Sequence, residues 1–182
     1  TNSADGINLE TAPGTVTTPP VIVTSVAAVN VTLGKTLTST PANLDTPESY
    51  RLRTTVSGSN GTLNLTSFGP VVDTLPPGTV FNGSTPQADC EPGCVGTTPA
   101  TLTWSAPCAV PLTAGNSCDI QVNVTFPSAT FTSGASVTNS FVVDGTPLGE
   151  PPQTFGPGII THPVTTFVPA PGGSLTKNIL NT

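Results

Sequence analysis

Three side chains in this sequence have the type, order and strand position to react with one another. Lys35 stands in VTLGKTL, Asp73 in VVDTLPPG and Asn139 in ASVTNSFVVDG. Side chains alternate faces along a β-strand, so residues two apart look the same way. Lys35 shares its parity with Val31, Leu33 and Leu37, Asp73 with Val71 and Leu75, and Asn139 with Val137, Phe141 and Val143. All three polar residues are therefore expected on the apolar side of their strands. A buried charge must neutralise or find a partner. One expectation is a buried Lys–Asp ion pair with the Asn as a hydrogen-bond partner. The other is chemical. A desolvated Lys has a lowered pKa and becomes a neutral amine nucleophile. A buried Asp stays protonated and donates to an amide oxygen. The Asn139 carboxamide is then attacked and loses ammonia, leaving a Lys–Asn isopeptide cross-link. That bond forms once and without turnover, so the chain is not expected to be an enzyme.

Strands must position these groups, and the composition favours strands. The chain has 182 residues, with 18 Gly, 21 Pro and no Met, and only 8% of it is charged. Thr and Val abound while helix formers are scarce, which points to an all-β extracellular chain. Strand signals follow one another at the intervals of a sandwich. They run over 29–38, 49–56, 62–67, 70–75, 101–105, 118–126 and 136–143. In the second, Tyr50, Leu52 and Val56 face one way and Arg51 and Arg53 the other. In the sixth, Ile120, Val122, Val124 and Phe126 alternate with polar residues. The expected fold is an immunoglobulin-like Greek-key β-sandwich with extended β and Pro-rich terminal segments. Trp104 is expected in its core, and His162, in THPV, in a linker.

The four cysteines, Cys90, Cys94, Cys108 and Cys118, permit three pairings. The local ones, Cys90–Cys94 and Cys108–Cys118, are favoured, since a Pro-Gly turn separates the first two and a hairpin can join the second. They imply an oxidising compartment. The rival, a four-thiolate zinc site, lacks its usual close CxxC pairs. Scattered acids do not suit calcium, so neither metal nor cofactor is expected. Four basic residues against ten acidic ones make nucleic-acid binding implausible. No apolar run reaches the ~20 residues of a membrane helix. Asn30, Asn60, Asn64, Asn82 and Asn123 are weak glycosylation candidates. Loops between Asn82 and Asn116 are the alternative functional surface, that of an adhesin or ligand-binding module for a host or cell-surface ligand.

The two ends of the chain resemble each other. TNSADG at the start returns as TNSFVVDG, and each copy leads through Pro-rich sequence to a β-rich run and then a Lys-bearing strand, TLGKTL and SLTKNI. Asn2 thereby corresponds to Asn139, and Lys35 to Lys177, which stands between Leu175 and Ile179. The expected organisation is a tail of a preceding repeat or an N-terminal extension over 1–28 and the sandwich over 29–145. A Pro/Gly-rich linker with a short strand follows over 146–173. The first strand of the next repeat, or a donor strand, covers 174–182. No signal peptide is evident, so a mature product or an excised fragment is expected. The partners are neighbouring copies of the chain, in a tandem array or in a filament built by strand donation from Val21–Val26 or Leu175–Leu180.

The segments VTLGKTL, ESYRLRTTVSGSNGT, VVDTLPPGTVF, LTAGNSCDIQVNVTF and ASVTNSFVVDG carry a family resemblance. Over about two thirds of the chain the sequence resembles the prokaryotic surface-protein repeat called domain of unknown function eleven. The resemblance implies immunoglobulin-like sandwiches in tandem arrays on bacterial and archaeal cell surfaces. Lys35, Asp73 and Asn139 fall on that family's Lys, Asp and Asn positions. Their order is also that of the isopeptide-bonded domains of bacterial pili and adhesins. The cysteine-bearing insert and the Pro-rich stretch after Gly145 depart from the pattern. The implied role is an extracellular structural module of a cell-surface fibre, stalk or filament.

Overall fold

A computed structural model describes residues 29–58 and 64–166. These residues form β1 (Asn30–Leu37), β2 (Ala42–Asn43), β3 (Pro47–Ser57), β4 (Asn64–Thr74) and β5 (Val80–Thr85). They continue with β6 (Thr101–Trp104), β7 (Leu112–Thr113), β8 (Ser117–Thr125), β9 (Ser136–Pro147) and β10 (Gln153–Thr165). Among them no helix is long and apolar enough to cross a membrane.

Alternation decides how the strands stack. Along β8 the residues Cys118, Ile120, Val122 and Val124 are buried while Ser117, Asp119 and Gln121 are exposed. β3 does the same with Tyr50, Leu52 and Val56 inward and Arg51 and Arg53 outward. Strands patterned in this way are covered on one face only, and two such sheets bury each other. One sheet has the order β1-β3-β8-β5 and the other β2-β10-β9-β4-β6, with β7 also on β4. The pairing is antiparallel except for β2 with β10. β1, β3, β8 and β5 occupy the A, B, E and D places of an immunoglobulin sandwich, and β4, β9 and β10 the C, F and G places. β6 adds a further strand beside β4. The fold is thus an all-β sandwich. Its core joins Tyr50, Leu52, Ile120, Val122 and Phe126 to Leu65, Val71, Leu102, Phe141 and Val143, all at most 2% exposed. Each such burial contributes about 1.5–3 kcal/mol. Trp104 is in the core too, and its indole N–H donates to the Pro86 carbonyl at 3.0 Å.

Three expectations need correction. The separate strands over 62–67 and 70–75 are one strand, β4. Gly69-Pro70 interrupts its register with β9 between Phe68 and Val71, and pairing resumes on both sides. The strand over 136–143 does not close the domain, because β10 follows and pairs with β9 from Gln153 to Pro163. The linker expected over 146–173 therefore contains a strand of 13 residues that belongs to the sandwich. Its Gly156-Pro157 dipeptide sits in an irregularity between Phe155 and Gly158, where it leaves the register intact on either side. Among the described residues only Val164 and Thr165 of β10 have a second neighbour, in β2, so there most of the strand is an edge, where Pro is tolerated. Residues 1–28 and 174–182, with Asn2, Lys177 and both candidate donor runs, lie outside the described residues, as does Asn60.

Candidate functional site

Lys35 comes from β1, at the edge of the four-stranded sheet, and Asp73 and Asn139 come from the facing sheet. Asp73 lies opposite Phe141 and Thr74 opposite Ser140. Asn139 is thus one step further along β9 and on the same inward face as Asp73. Asp73 and Asn139 are wholly buried, and so is the Lys35 side chain. Lys35 Nζ donates to Asp73 Oδ1 across the sandwich. The same Nζ stands 5.1 Å from the centre of the Tyr50 ring and 5.6 Å from that of Phe141. Two aromatic faces thereby surround a charge that has lost its water.

The electrostatics push both members of the pair towards neutrality. Burial lowers the Lys35 pKa from 10.5 to about 8, and the Asp73 charge only partly opposes this. Burial raises the Asp73 pKa, against the opposing charge and hydrogen bond of Lys35. One proton moving from Nζ to Oδ1 converts the ion pair into an amine and a carboxylic acid, the two forms that an attack on an amide requires.

Asn139 has no such partner. Among the described residues neither its Nδ2 nor its Oδ1 makes a hydrogen bond of standard geometry, and Asp73 Oδ2 is likewise unpaired. The amide is nevertheless close enough to Asp73 and to Tyr50 to favour the charged form of each. A buried, unsatisfied carboxamide next to a Lys–Asp pair is costly as a resting arrangement.

Two cysteine pairs are joined as disulfides. Cys90 is bonded to Cys94, with Cα atoms 5.6 Å apart, and Cys108 to Cys118, at 6.0 Å. Of the sequon asparagines, Asn30 and Asn82 are exposed, while Asn64 and Asn123 are half-buried. Arg51 and Arg53 both donate to Asp119 on the outer face, leaving Lys35 as the inward-facing cation among the described residues.

No protein-family model matches the sequence, and no curated protein matches it. Among solved structures the chain is similar to the crystal structure of BcpA, the major pilin subunit of Bacillus cereus. That similarity has a TM-score of 0.47 and 13% sequence identity, and it covers 75% of this chain and 40% of that one. The chain thus spans well under two thirds of the pilin's length. The resemblance to the surface-protein repeat rests on the quoted residues alone.

Sequence reasoning missed two neighbours of the cluster. His162 is no linker residue: it is 2% exposed, and its Nε2 lies 2.6 Å from the Tyr50 hydroxyl. It packs between Tyr50 and Phe126 in tilted and edge-to-face contacts, with ring centres 5.6 and 5.7 Å away. The signal was present in the alternation of Ile160, His162 and Val164, but the flanking prolines read as breaks. Glu48 is the second, 5% exposed and held by Ser39 and by Asn43, whose backbone N–H donates to it at 2.8 Å.

Proposed function

We propose that this chain contributes a structural module to an extracellular fibre, stalk or filament on a cell surface. Disulfides and a self-formed Lys35–Asn139 isopeptide bond stabilise it. The observation that carries this reading is the buried Lys35–Asp73 pair beside an Asn139 amide whose polar atoms have no hydrogen-bond partner.

The chemistry balances without any further reactant. The neutral Lys35 amine adds through its lone pair to Asn139 Cγ while the Asp73 carboxyl gives its proton to Oδ1. The tetrahedral adduct collapses as a proton passes from Nζ to Nδ2 by way of Asp73. The carbonyl re-forms as Oδ1 returns its proton to Asp73, the Cγ–Nδ2 bond breaks, ammonia departs, and Asp73 ends protonated. The new amide joins β1 to β9 and therefore one sheet to the other. A force drawn through the chain ends would meet a covalent tie, and residues between positions 35 and 139 would be shielded from it. A module of this kind bears load and resists proteolysis.

Intact mass of the folded chain tests the reading. A deficit of one ammonia, about 17 Da, beyond the loss expected for two disulfides is the expected result. A tryptic peptide pair joined through Lys35 and Asn139 would locate the bond. Full mass with a free Lys35 amine rejects it.

A further inference from the structure

His162 and Tyr50 belong to none of the steps above, yet they are buried against the reacting groups from two different strands. His162 Nδ1 lies 3.1 Å from the carbonyl oxygen of Pro163. A carbonyl only accepts, so Nδ1 carries the hydrogen and Nε2 offers a lone pair. The Tyr50 hydroxyl, 2.6 Å from Nε2, must then donate to it. Its oxygen is left able to accept. Ile160 lies opposite Asn139 and His162 opposite Val137, so His162 and Asn139 are diagonal neighbours on the inner face. Tyr50 reaches the same place from the facing sheet, with its ring under Lys35 Nζ.

We propose that Tyr50 and His162 are a positioning pair that orients the Asn139 carboxamide, with neutral His162 required for the reactive orientation. The inference rests on the cross-link proposed above. The resting structure leaves Asn139 Nδ2 unpaired; in the reactive orientation, with His162 neutral, the Tyr50 oxygen accepts from Nδ2 and Oδ1 turns towards the Asp73 carboxyl. Asp73 can then give its proton to the carbonyl that Lys35 attacks. With His162 protonated, Nε2 becomes a donor and the direction of the chain reverses. Tyr50 must then donate to Asn139, the amide turns over, and Nδ2 meets Asp73. The carboxyl proton now has no carbonyl to polarise, and addition slows. Neither Tyr50 nor His162 exchanges a proton with the reactants, so the balance of the reaction is unchanged.

The titratable and charged groups that face His162 are Tyr50 and Glu48 on β3; Lys35 on β1 lies on the Tyr50 ring and pairs with Asp73 on β4. β9 presents Val137 and Asn139, and Phe126 follows β8. Burial lowers the His162 pKa from 6.5, and it outweighs the Pro163 hydrogen bond and the Glu48 charge, which act in the opposite direction. Neutral His162 is therefore the state near neutral pH.

The test follows bond formation in the full chain as it folds. Protein held unfolded in guanidinium is diluted into a thiol–disulfide buffer at a series of pH values from about 5 to about 8. Intact mass then times the loss of ammonia, while Trp104 fluorescence times folding separately. In the wild type the rate of loss is expected to fall as pH drops below 6.5, the ordinary His value. His162→Gln keeps an acceptor for Tyr50 that does not titrate, so its rate should be independent of pH in this range. Tyr50→Phe keeps the ring but cannot relay, so it should fold and lose ammonia at least ~10-fold more slowly at every pH. The role is overturned if Tyr50→Phe reacts at the wild-type rate, or if His162→Gln retains the acid decline. If Tyr50→Phe does not fold, the His162→Gln profile decides alone. A wild type that loses no ammonia at any pH overturns the cross-link, and this role with it.

Discussion

A Lys35–Asn139 bond reverses the sign of one substitution. Asn139→Leu replaces a wholly buried carboxamide by an apolar side chain of similar size. Without the bond, Asn139 Nδ2 and Oδ1 are two unpaired buried groups. Each costs about 1–3 kcal/mol, so the substitution would stabilise the fold by at least ~2 kcal/mol. With the bond, the substitution forfeits the closure of a loop that runs from Lys35 to Asn139. For roughly 105 residues the loop-entropy relation gives about 4.8 kcal/mol at 25 °C. The two disulfides short-circuit parts of that loop, but the dependence is logarithmic and the correction is only about 0.1 kcal/mol. The bonded chain should therefore lose about 4–5 kcal/mol, a fall in Tm of roughly 10–20 °C at ~2–4 °C per kcal/mol. The assay is guanidinium unfolding of both proteins with disulfides intact, paired with intact mass. The expected wild type is lighter by one ammonia and more stable than Asn139→Leu, which keeps its full mass. A variant more stable than a full-mass wild type refutes the cross-link. A light wild type whose stability equals that of the variant refutes the loop argument.

Three further outcomes are open to measurement. In the unlinked Asn139→Leu protein, Lys35 keeps its amine, with a folded pKa of about 8 against 10.5 unfolded. The unfolded chain then binds more protons between these values, so stability should rise by about 2 kcal/mol from pH 8 to pH 10. Denaturant midpoints across this range check it, and the linked wild type should show no such rise. Replacing Cys108 and Cys118 together by Ala opens a short loop anchored on β8 and should cost about 3 kcal/mol, read by thermal unfolding. Gly158→Ala would drive a methyl group into the Phe141 ring beside the cluster. It should cost about 1–3 kcal/mol in denaturant unfolding.

Much of this fold was legible because strand alternation is a local property. The inward parity of Lys35, Asp73 and Asn139 and the outward parity of Arg51 and Arg53 were each readable within one strand, since the pleat turns successive side chains to opposite faces. The local cysteine pairing was readable for a related reason: short spacing limits the geometry that a bridge must satisfy. β10 was readable only as a short strand within a linker, because Gly156-Pro157 and Pro163 are breaking signals that a strand with an irregular register accommodates. That single miss hid His162.

By itself the sequence determined the fold class and the inward aim of the Lys–Asp–Asn trio. Only the tertiary structure decided that Lys35 reaches Asp73 from the opposite sheet, and that Tyr50 meets His162 across 112 positions of chain. Alternation says which way a side chain points. What it meets there depends on which two sheets bury each other, and that is settled by the apolar faces of the whole chain at once.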